Sequence, residues 1–231
     1  MIYKIIVNSS EVYCSIQMLE VKKEIFCHSK INILGLISIE KYSNDNLDNL
    51  IEKPINVYVG DFDESRLIFT GFIFNYKLIK KRDELYLKIT GYGYSKLLDC
   101  KNKRIFQDAN KSFKDITDII LQKYDKVSIT GNIKQKENID FLVVQNDITD
   151  WELLKRLCKK FNTVLIVKDI NECSEINIGE IEKQVISVDY DRIQNRKKLI
   201  FYSRKFYKLG NEFEYAGKSY IIIKIKREFK G

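Results

Sequence analysis

Several ingredients of common protein chemistry are scarce in this chain of 231 residues, which has one histidine, one tryptophan and one proline. A single histidine, His28, leaves little material for catalytic pairs or for metal centres built on imidazole. Aromatic and branched apolar residues are abundant instead, with 14 Tyr and 13 Phe. Such side chains suit the half-buried face of a pleated sheet, so the composition predicts much β-strand.

Long apolar runs are also missing. No window approaches the ~18 apolar residues that a membrane-spanning helix needs. Residues 1–9 lack the basic and apolar segments of a signal peptide. We therefore expect a product that begins its life soluble in the cytoplasm and does not insert into a membrane.

The five cysteines are odd in number, and no two of them form a Cys-x-x-Cys pair. This spacing argues against a zinc ribbon, an iron–sulfur site and a disulfide framework. We expect reduced, partly buried cysteines that act as small hydrophobic residues. They are Cys14, Cys27, Cys100, Cys158 and Cys173.

Sequence signatures of catalysis are not found. Cys27 and His28 are adjacent, and adjacent side chains on a strand point to opposite faces, so we expect His28 at the surface or at a cap. The chain has no Gly-x-Ser-x-Gly elbow and no Walker loop. Gly91 and Gly93 lack the third glycine of a dinucleotide fingerprint, and their place at a strand end indicates a kink or a close backbone approach.

The carboxylates Asp147 and Asp150 lie where a helix is expected to begin, and the helix dipole favours acidic groups there. Trp151 follows in the first turn, where it either packs against a neighbouring strand or anchors a subunit interface. We give packing the preference. The sequence thus predicts no catalytic, cofactor-binding or metal-binding residue and a protein that is not an enzyme.

Alternation and capping patterns predict the secondary structure. Leu85, Leu87 and Ile89 alternate with polar residues, as in a strand with one buried face, and residues 80–83 look like a hairpin connection. Ser112 and Thr149 begin helices as caps. Strands are predicted at residues 1–7, 31–39, 55–60, 67–76, 85–90, 141–145, 163–167, 199–202, 212–215 and 220–226, the last with Ile221, Ile223 and Ile225 on one face. The first ~95 residues thus look like a closed or nearly closed antiparallel barrel, followed by a small α/β unit.

The net charge of +8 is unevenly placed. Residues 192–231 carry twelve basic and three acidic residues, residues 77–104 carry nine and three, and the rest sums to −7. Basic segments can meet nucleic acid or an acidic partner, and a basic, aromatic barrel is what a single-strand binder uses. Phe72, Phe74 and Tyr76 nevertheless alternate with Ile73 and Asn75, which favours two packed faces over an exposed stacking platform.

Four segments, in order, resemble one protein family. They are residues 69–73 (FTGFI), 91–99 (GYGYSKLLD), 104–108 (RIFQD) and 145–157 (QNDITDWELLKRL), with Ile148 and Leu153 in place of the family's Glu and Phe. Residues 215–221 (YAGKSYI) resemble a closing hairpin of the same proteins. The sequence is similar to the late control D family of phage tails, which includes the hub portion of the VgrG spike proteins of type VI secretion.

The resemblance implies an α+β fold, mainly β, with two small antiparallel β-barrels and an inserted α/β unit. The first barrel is expected at residues 1–95, the inserted α/β region at 96–175, and the second barrel at 176–231 with strands borrowed from earlier segments. The residues that carry the resemblance are expected to support the fold and not to form a site; they are Gly71, Gly91, Tyr92, Ser95, Leu98, Phe106, Gln107, Gln145, Thr149, Asp150, Trp151, Leu154 and Leu157.

The resemblance also implies a function, that of a baseplate hub in a phage, an R-type bacteriocin or a related injection system. Three copies are expected to form a pseudo-sixfold ring that joins the hexameric tail tube to the trimeric spike, alongside other baseplate proteins. The chain has no needle or hydrolase segment, so we expect the spike to be a separate protein. The alternatives are a basic protein that binds single-stranded nucleic acid and a peptidoglycan-cleaving tail enzyme.

Overall fold

The computed structural model describes residues 2–7, 10–38, 50–61, 64–106, 111–131, 139, 142–179, 192–194, 200–202, 207–215 and 218–230. Its elements are, in chain order, β1 (Ile2–Val7), β2 (Ser10–Glu11), β3 (Ser15–Glu24), β4 (Lys30–Ile37), β5 (Pro54–Asp61), β6 (Glu64–Lys81), β7 (Glu84–Tyr92), a 3-10 helix (Tyr94–Asp99), β8 (Lys101–Phe106), α1 (Phe113–Leu121), β9 (Val127–Thr130), β10 (Val143–Thr149), α2 (Asp150–Lys160), β11 (Val164–Ile170), β12 (Cys173–Gly179), β13 (Arg192–Gln194), β14 (Ile200–Tyr202), β15 (Glu212–Tyr215), β16 (Lys218–Ile221) and β17 (Lys224–Lys230). The chain is mainly β, as predicted.

An eight-stranded antiparallel sheet is the largest element, with the strand order β17-β3-β4-β7-β6-β5-β1-β2. The order begins at β17 and ends at β2, and no pairing between these two strands closes the described residues into a barrel. The prediction of a mainly β fold is therefore confirmed, whereas the described sheet is not the closed form of the expected barrel.

One apolar core holds this sheet together. Leu19, Ile33, Ile55, Phe69 and Leu87 come from five different strands and are all fully buried in one cluster. Burying an aliphatic side chain completely contributes about 1.5–3 kcal/mol. The β6–β7 hairpin turns at residues 82–83, as the sequence predicts, and the alternation around residues 85–89 faces this core.

A β-bulge in β6 changes the direction of one aromatic side chain. Ile73 pairs with Gly91 and Asn75 pairs with Thr90, which leaves Phe74 as the extra residue. Ile73 is buried, and Phe74 is 53% exposed. The prediction that Phe74 lies on a packed face is wrong, because the extra residue breaks the two-residue alternation on which it relied.

The α/β unit forms a second core. Ser112 caps α1 in a reciprocal capping box with Asp115, and the Thr149 hydroxyl accepts a hydrogen bond from the backbone N–H of Glu152 at the start of α2. Both helices begin where the sequence predicts. The helices pack with the sheet β11-β12-β9, in which β12 and β9 are parallel. The core members are chiefly aliphatic and include Leu98, Phe113, Ile116, Leu154, Leu157, Leu165 and Ile176.

The unit is fastened to the large sheet by polar contacts from the β11–β12 hairpin. The Lys23 ammonium lies 2.7 Å from the buried Asp169 carboxylate, which also accepts a hydrogen bond from Ser174. Asn56 on β5 donates a hydrogen bond of 3.1 Å to Glu172. The Lys23–Asp169 and Asn56–Glu172 contacts join residues more than 100 positions apart in the sequence.

The C-terminal strand differs from its prediction. The prediction of a single strand over residues 220–226 is wrong, because β16 ends at Ile221 and β17 begins at Lys224. Ile222 is 6% exposed and its N–H and C=O bond to Asn211 and Gly210, whereas Ile223 is 48% exposed. The chain then joins the edge of the large sheet, where β17 pairs with β3.

Strand β3, the partner of β17, escaped prediction because Lys and Glu residues blur its alternation. The strand predicted at 141–145 begins at residue 143, and the predicted 199–202 and 212–215 are found as β14 and β15. The domain limits at residues 95 and 175 remain predictions. Within the part of the chain that the structure describes, no helix has the length and apolarity that a membrane crossing requires.

Candidate functional site

His28 lies where the large sheet meets the α/β unit. Its Nδ1 is 3.0 Å from the Ser95 hydroxyl, and its Nε2 is 3.2 Å from the Asp99 carboxylate. Its ring stacks on Trp151 with 4.0 Å between centroids. The expectation of a surface or capping histidine is wrong, because partners 67 to 123 residues away in the sequence enclose the ring.

The turn between β3 and β4 presents this histidine in a strained conformation. Phe26 has φ +58°, a left-handed value that bulky residues rarely adopt, and such positions cost about 1–3 kcal/mol. A hydrogen bond of 2.9 Å from the Phe26 N–H to the Leu165 carbonyl holds the turn on the α/β unit. The Gly93 N–H donates to the Ser29 carbonyl at 3.0 Å on the other side. The turn is therefore fixed by both parts of the molecule.

A cleft of about 410 Å³ opens beside the turn. Its wall contains four aromatic or imidazole rings and four lysines, together with three carboxylates. The lining residues are Lys22, Glu24, Phe26, Cys27, His28, Lys30, Tyr92, Asp99, Trp151, Glu152, Lys155 and Lys224. Residues of the large sheet, the 3-10 helix and α2 thus form one concave surface.

Burial governs the electrostatics of the cleft. Burial lowers the pKa of His28, although the neighbouring Asp99 carboxylate works in the opposite direction. Burial also raises the pKa of Asp99, but hydrogen bonds from Lys96 and His28 outweigh it and lower the pKa below its ordinary value. For Cys27, burial and the Glu24 carboxylate raise the pKa of the thiol. The neutral imidazole and the neutral thiol are thus the favoured forms.

The line Ser95–His28–Asp99 has the residue types of a hydrolase triad, but its geometry does not serve nucleophilic attack. Ser95 is 0% exposed, so no substrate carbonyl can reach its hydroxyl. Cys27 is exposed, yet burial and the Glu24 carboxylate raise the pKa of its thiol, which disfavours the reactive thiolate. Among the described residues, no three His, Cys, Asp or Glu side chains converge as a metal site requires.

A second polar cluster surrounds the buried Asp150 at the head of α2. Its carboxylate accepts hydrogen bonds from Arg104 at 2.5 Å, Gln145 at 2.7 Å, Tyr124 at 2.7 Å and Asn102 at 3.0 Å. Burial and the bond to Asp150 raise the pKa of the Tyr124 hydroxyl. The network joins β8, β10, α2 and the segment after α1, and its lack of exposure gives it a structural role.

Two glycines of the family pattern lie where the backbone is crowded. A Cβ on Gly71 would be 2.1 Å from the Tyr92 carbonyl oxygen, and one on Gly91 would be 3.0 Å from the Phe72 carbonyl oxygen. A Cβ on Gly93 would likewise lie 2.7 Å from an oxygen of the Asp169 carboxylate. The expectation of a close backbone approach at the end of β7 is confirmed.

The other residues of the pattern fall into two places. Ser95 and Trp151 contact His28, and Gln145, Thr149 and Asp150 build the head of α2. Trp151 is 3% exposed, which agrees with packing rather than with an exposed anchor. Three leucines lie in the α/β core, namely Leu98, Leu154 and Leu157. Phe106 pairs with Val143 in the backbone, and Gln107 lies outside the described residues.

The exposure of three cysteines, and several partners in the polar clusters, were not predicted from the sequence. Cys14, Cys27 and Cys100 are exposed, contrary to the expectation of partly buried residues, whereas Cys158 is buried. Asn102 and Tyr124 carry no local signal, because each acquires its role through a contact with Asp150 that is distant in sequence. The RIFQD segment marks Arg104, but nothing in it indicates the contact with Asp150.

No protein-family model and no curated protein sequence matches the chain. Solved structures do match it. One is a component of the type VI secretion system of E. coli, which is described as structurally similar to the T4 bacteriophage tail proteins gp27 and gp5. It superposes with a TM-score of 0.74 at 11% identity, and the superposition covers 98% of this chain and 73% of the E. coli chain.

Two tail proteins are also similar. The 43 kDa tail protein of prophage MuSo2 from Shewanella oneidensis has a TM-score of 0.63 at 13% identity, over 84% of this chain and 60% of its own. A tail protein from Neisseria meningitidis MC58 has a TM-score of 0.60 at 12% identity, over 83% of this chain and 58% of its own. The chain therefore has the fold of phage tail and type VI secretion proteins, and it spans about three fifths of the length of these two tail proteins.

Proposed function

We propose that this chain is a structural subunit of a contractile tail or tail-like particle, in which it serves as a baseplate hub. The observation that carries the proposal is the fold similarity to a type VI secretion component over 98% of the chain at a TM-score of 0.74. Similarity to two phage tail proteins supports the same class. The four sequence segments that resemble hub proteins, in the same order along the chain, support the same proposal.

In this proposal three copies form a ring. Two β-units in each subunit would give the ring six similar surfaces for a sixfold tail tube. One is the eight-stranded sheet, which includes β17, and the other is a second barrel formed by the rest of residues 176–231 with strands borrowed from earlier segments. The threefold symmetry of the ring would match a trimeric spike. Tube protein, spike and other baseplate proteins are the proposed partners, and assembly takes place in the cytoplasm before the particle is released.

The protein acts in this role without catalysis. Complete burial of Ser95 and the raised pKa of the Cys27 thiol support this part of the proposal, because both disfavour attack by a hydroxyl or a thiol at the cleft. A zymogram on peptidoglycan tests it directly. We expect no clearing, and a clear band at the mass of this chain would contradict a purely structural role.

The ring is tested by the native mass of the purified chain. Light scattering after size exclusion of the chain alone is expected to give a species near three times 27.3 kDa. Addition of the neighbouring tube and spike proteins is expected to give a heavier complex that contains three copies of the chain. A monomer that stays monomeric even with both partners present would contradict the trimeric ring.

A second candidate function is binding of single-stranded nucleic acid. The observation that favours it is the exposed Phe74 ring, which meets Tyr92 edge-on at 5.2 Å, with the Lys30 and Lys96 ammonium groups over Tyr92. This reading predicts binding of a labelled oligonucleotide that weakens steeply with salt. No retention at ~50 mM salt would remove it.

A further inference from the structure

The cleft beside His28 is built as a rigid recess. The strained Phe26 turn is fixed by hydrogen bonds on both sides, and the His28 ring is held by two hydrogen bonds and by Trp151. Strain of this kind persists only where the surrounding structure enforces it, and it concentrates at binding sites. A volume of about 410 Å³ lies within the range of ligand pockets.

The carboxylates of the cleft are already neutralised from within the chain. Glu24 lies 2.5 Å from Lys224, and Glu152 lies 2.5 Å from Lys155. Asp99 is paired with Lys96 and contacts His28. An incoming acidic group would therefore meet little repulsion from the wall.

One lysine of the cleft differs from the others. Lys22 has Glu20 at 3.0 Å, but Lys30 has no carboxylate within 4 Å among the described residues. Its ammonium group lies 5.5 Å from the centre of the Tyr92 ring. The cleft thus combines an aromatic wall with one uncompensated positive charge at its rim.

We infer that this cleft is a docking site for an acidic segment of a partner protein, whose carboxylate pairs with Lys30 while an apolar side chain contacts the aromatic wall. Charge complementarity selects this occupant, since the only unmatched charge at the wall among the described residues is positive. The inference does not depend on a role in a tail, because it follows from the cleft alone.

The chain supplies its own reporter for the test. Trp151 is the single tryptophan of the chain and lines the cleft. Its fluorescence emission on excitation at 295 nm would therefore respond when a ligand occupies the cleft. The probe is the blocked peptide acetyl-Glu-Glu-Phe-Asp-Glu-amide, added to the full chain at roughly 50 mM salt to limit screening. The matched control peptide has Gln and Asn in place of every Glu and Asp.

The acidic peptide is expected to change the Trp151 emission saturably, and the neutral peptide is not. Lys30→Glu should weaken binding of the acidic peptide roughly tenfold, because it reverses the charge at this position. Lys30→Gln should weaken binding about threefold, because it only removes the charge. Lys77→Glu makes the same charge change at an exposed position outside the cleft and should leave binding unchanged. Circular dichroism checks that each variant is folded, and Lys30→Gln carries the test if the reversal is not tolerated.

Three results would overturn the inference. The first is that both peptides change the Trp151 emission equally, or that neither peptide changes it. The second is that Lys30→Glu and Lys77→Glu weaken binding of the acidic peptide equally. The third is that a ten-nucleotide thymidine oligomer gives a Lys30-dependent response when the acidic peptide gives none. The last result would assign the cleft to nucleic acid.

Discussion

The large sheet and its junction with the α/β unit are stabilised in different ways. The sheet depends on aliphatic and aromatic residues that alternate along its strands and meet in one dry cluster. The junction depends on single polar side chains, among them Asp169 and His28, which are buried or half-buried and find partners far away in sequence. The Asp150 network inside the α/β unit works in the same way. Many small contributions support the first region, and a few large and directional ones support the second.

This difference explains where the molecule tolerates change. A sheet core can repack around a lost methyl group, although a large cavity remains costly. A buried carboxylate has no such freedom, because loss of its charge leaves its partners without compensation. The cleft lies at the polar junction, where backbone strain at Phe26 also concentrates.

The largest expected effect is in the sheet core. Phe69→Ala should lower the free energy of unfolding by about 4 kcal/mol, because the ring is completely buried. Phe74→Ala, five residues along the same strand, removes an identical ring that is 53% exposed and should cost about 0.5 kcal/mol or less. Urea denaturation measures both. Equal losses would contradict the bulge that turns Phe74 outward.

Breaking the Asp150 network inside the α/β unit should cost slightly less. Asp150→Asn removes a charge that the Arg104 guanidinium and three other donors share, with an expected loss of about 3 kcal/mol. Asp147→Asn is the matched control, since Asp147 is exposed, lies 3.7 Å from Lys101, and keeps a residue type that tolerates its φ of +53°. A loss below about 1 kcal/mol for Asp150→Asn would mean that the network does not hold α2.

A glycine substitution probes the boundary between the two regions. In Gly71→Ala the new Cβ would collide with the Tyr92 carbonyl oxygen, so the β6–β7 pairing must shift at a cost of about 2 kcal/mol. Asn75→Ala, at an exposed position of the same strand, serves as its control in thermal unfolding. Equal melting temperatures for both variants would contradict the close approach.

The smallest effect is a dependence of stability on pH. Because burial lowers the pKa of His28 below its ordinary 6.5, the unfolded chain binds that proton more readily, and stability should fall as the pH drops through about 6.5. For Glu20, burial raises the pKa, but hydrogen bonds from Lys226, Asn32 and Lys22 outweigh it and lower the pKa from 4.5 to about 2. That contribution is lost only between those two pH values.

His28→Gln separates the two windows. The variant should lose the decline near pH 6.5 and keep the decline below pH 4.5, when melting temperature is recorded from pH 8 to pH 3. An unchanged profile near pH 6.5 would show that His28 is not the group that titrates there.

Features that local patterns encode can be predicted from the sequence, whereas features set by the pairing of strands and by single polar contacts cannot. Caps at Ser112 and Thr149 and the alternation around Leu87 are local patterns, and the structure contains all three. The break before β17 depends on pairing with the distant strand β3, and the bulge at Phe74 depends on the register of β6 against β7; no local pattern encodes either feature. The resemblance to hub proteins singled out Asp150 and Ser95 but did not reveal their partners.

The central claim, a structural role at the hub of a tail, is tested most directly by a cryo-EM reconstruction of the particle assembled with this chain. The account predicts three copies in a ring between the tail tube and the spike, with the eight-stranded sheet facing the pseudo-sixfold interface. Density for this chain outside the tube–spike junction, or a particle that assembles completely without it, would contradict the claim.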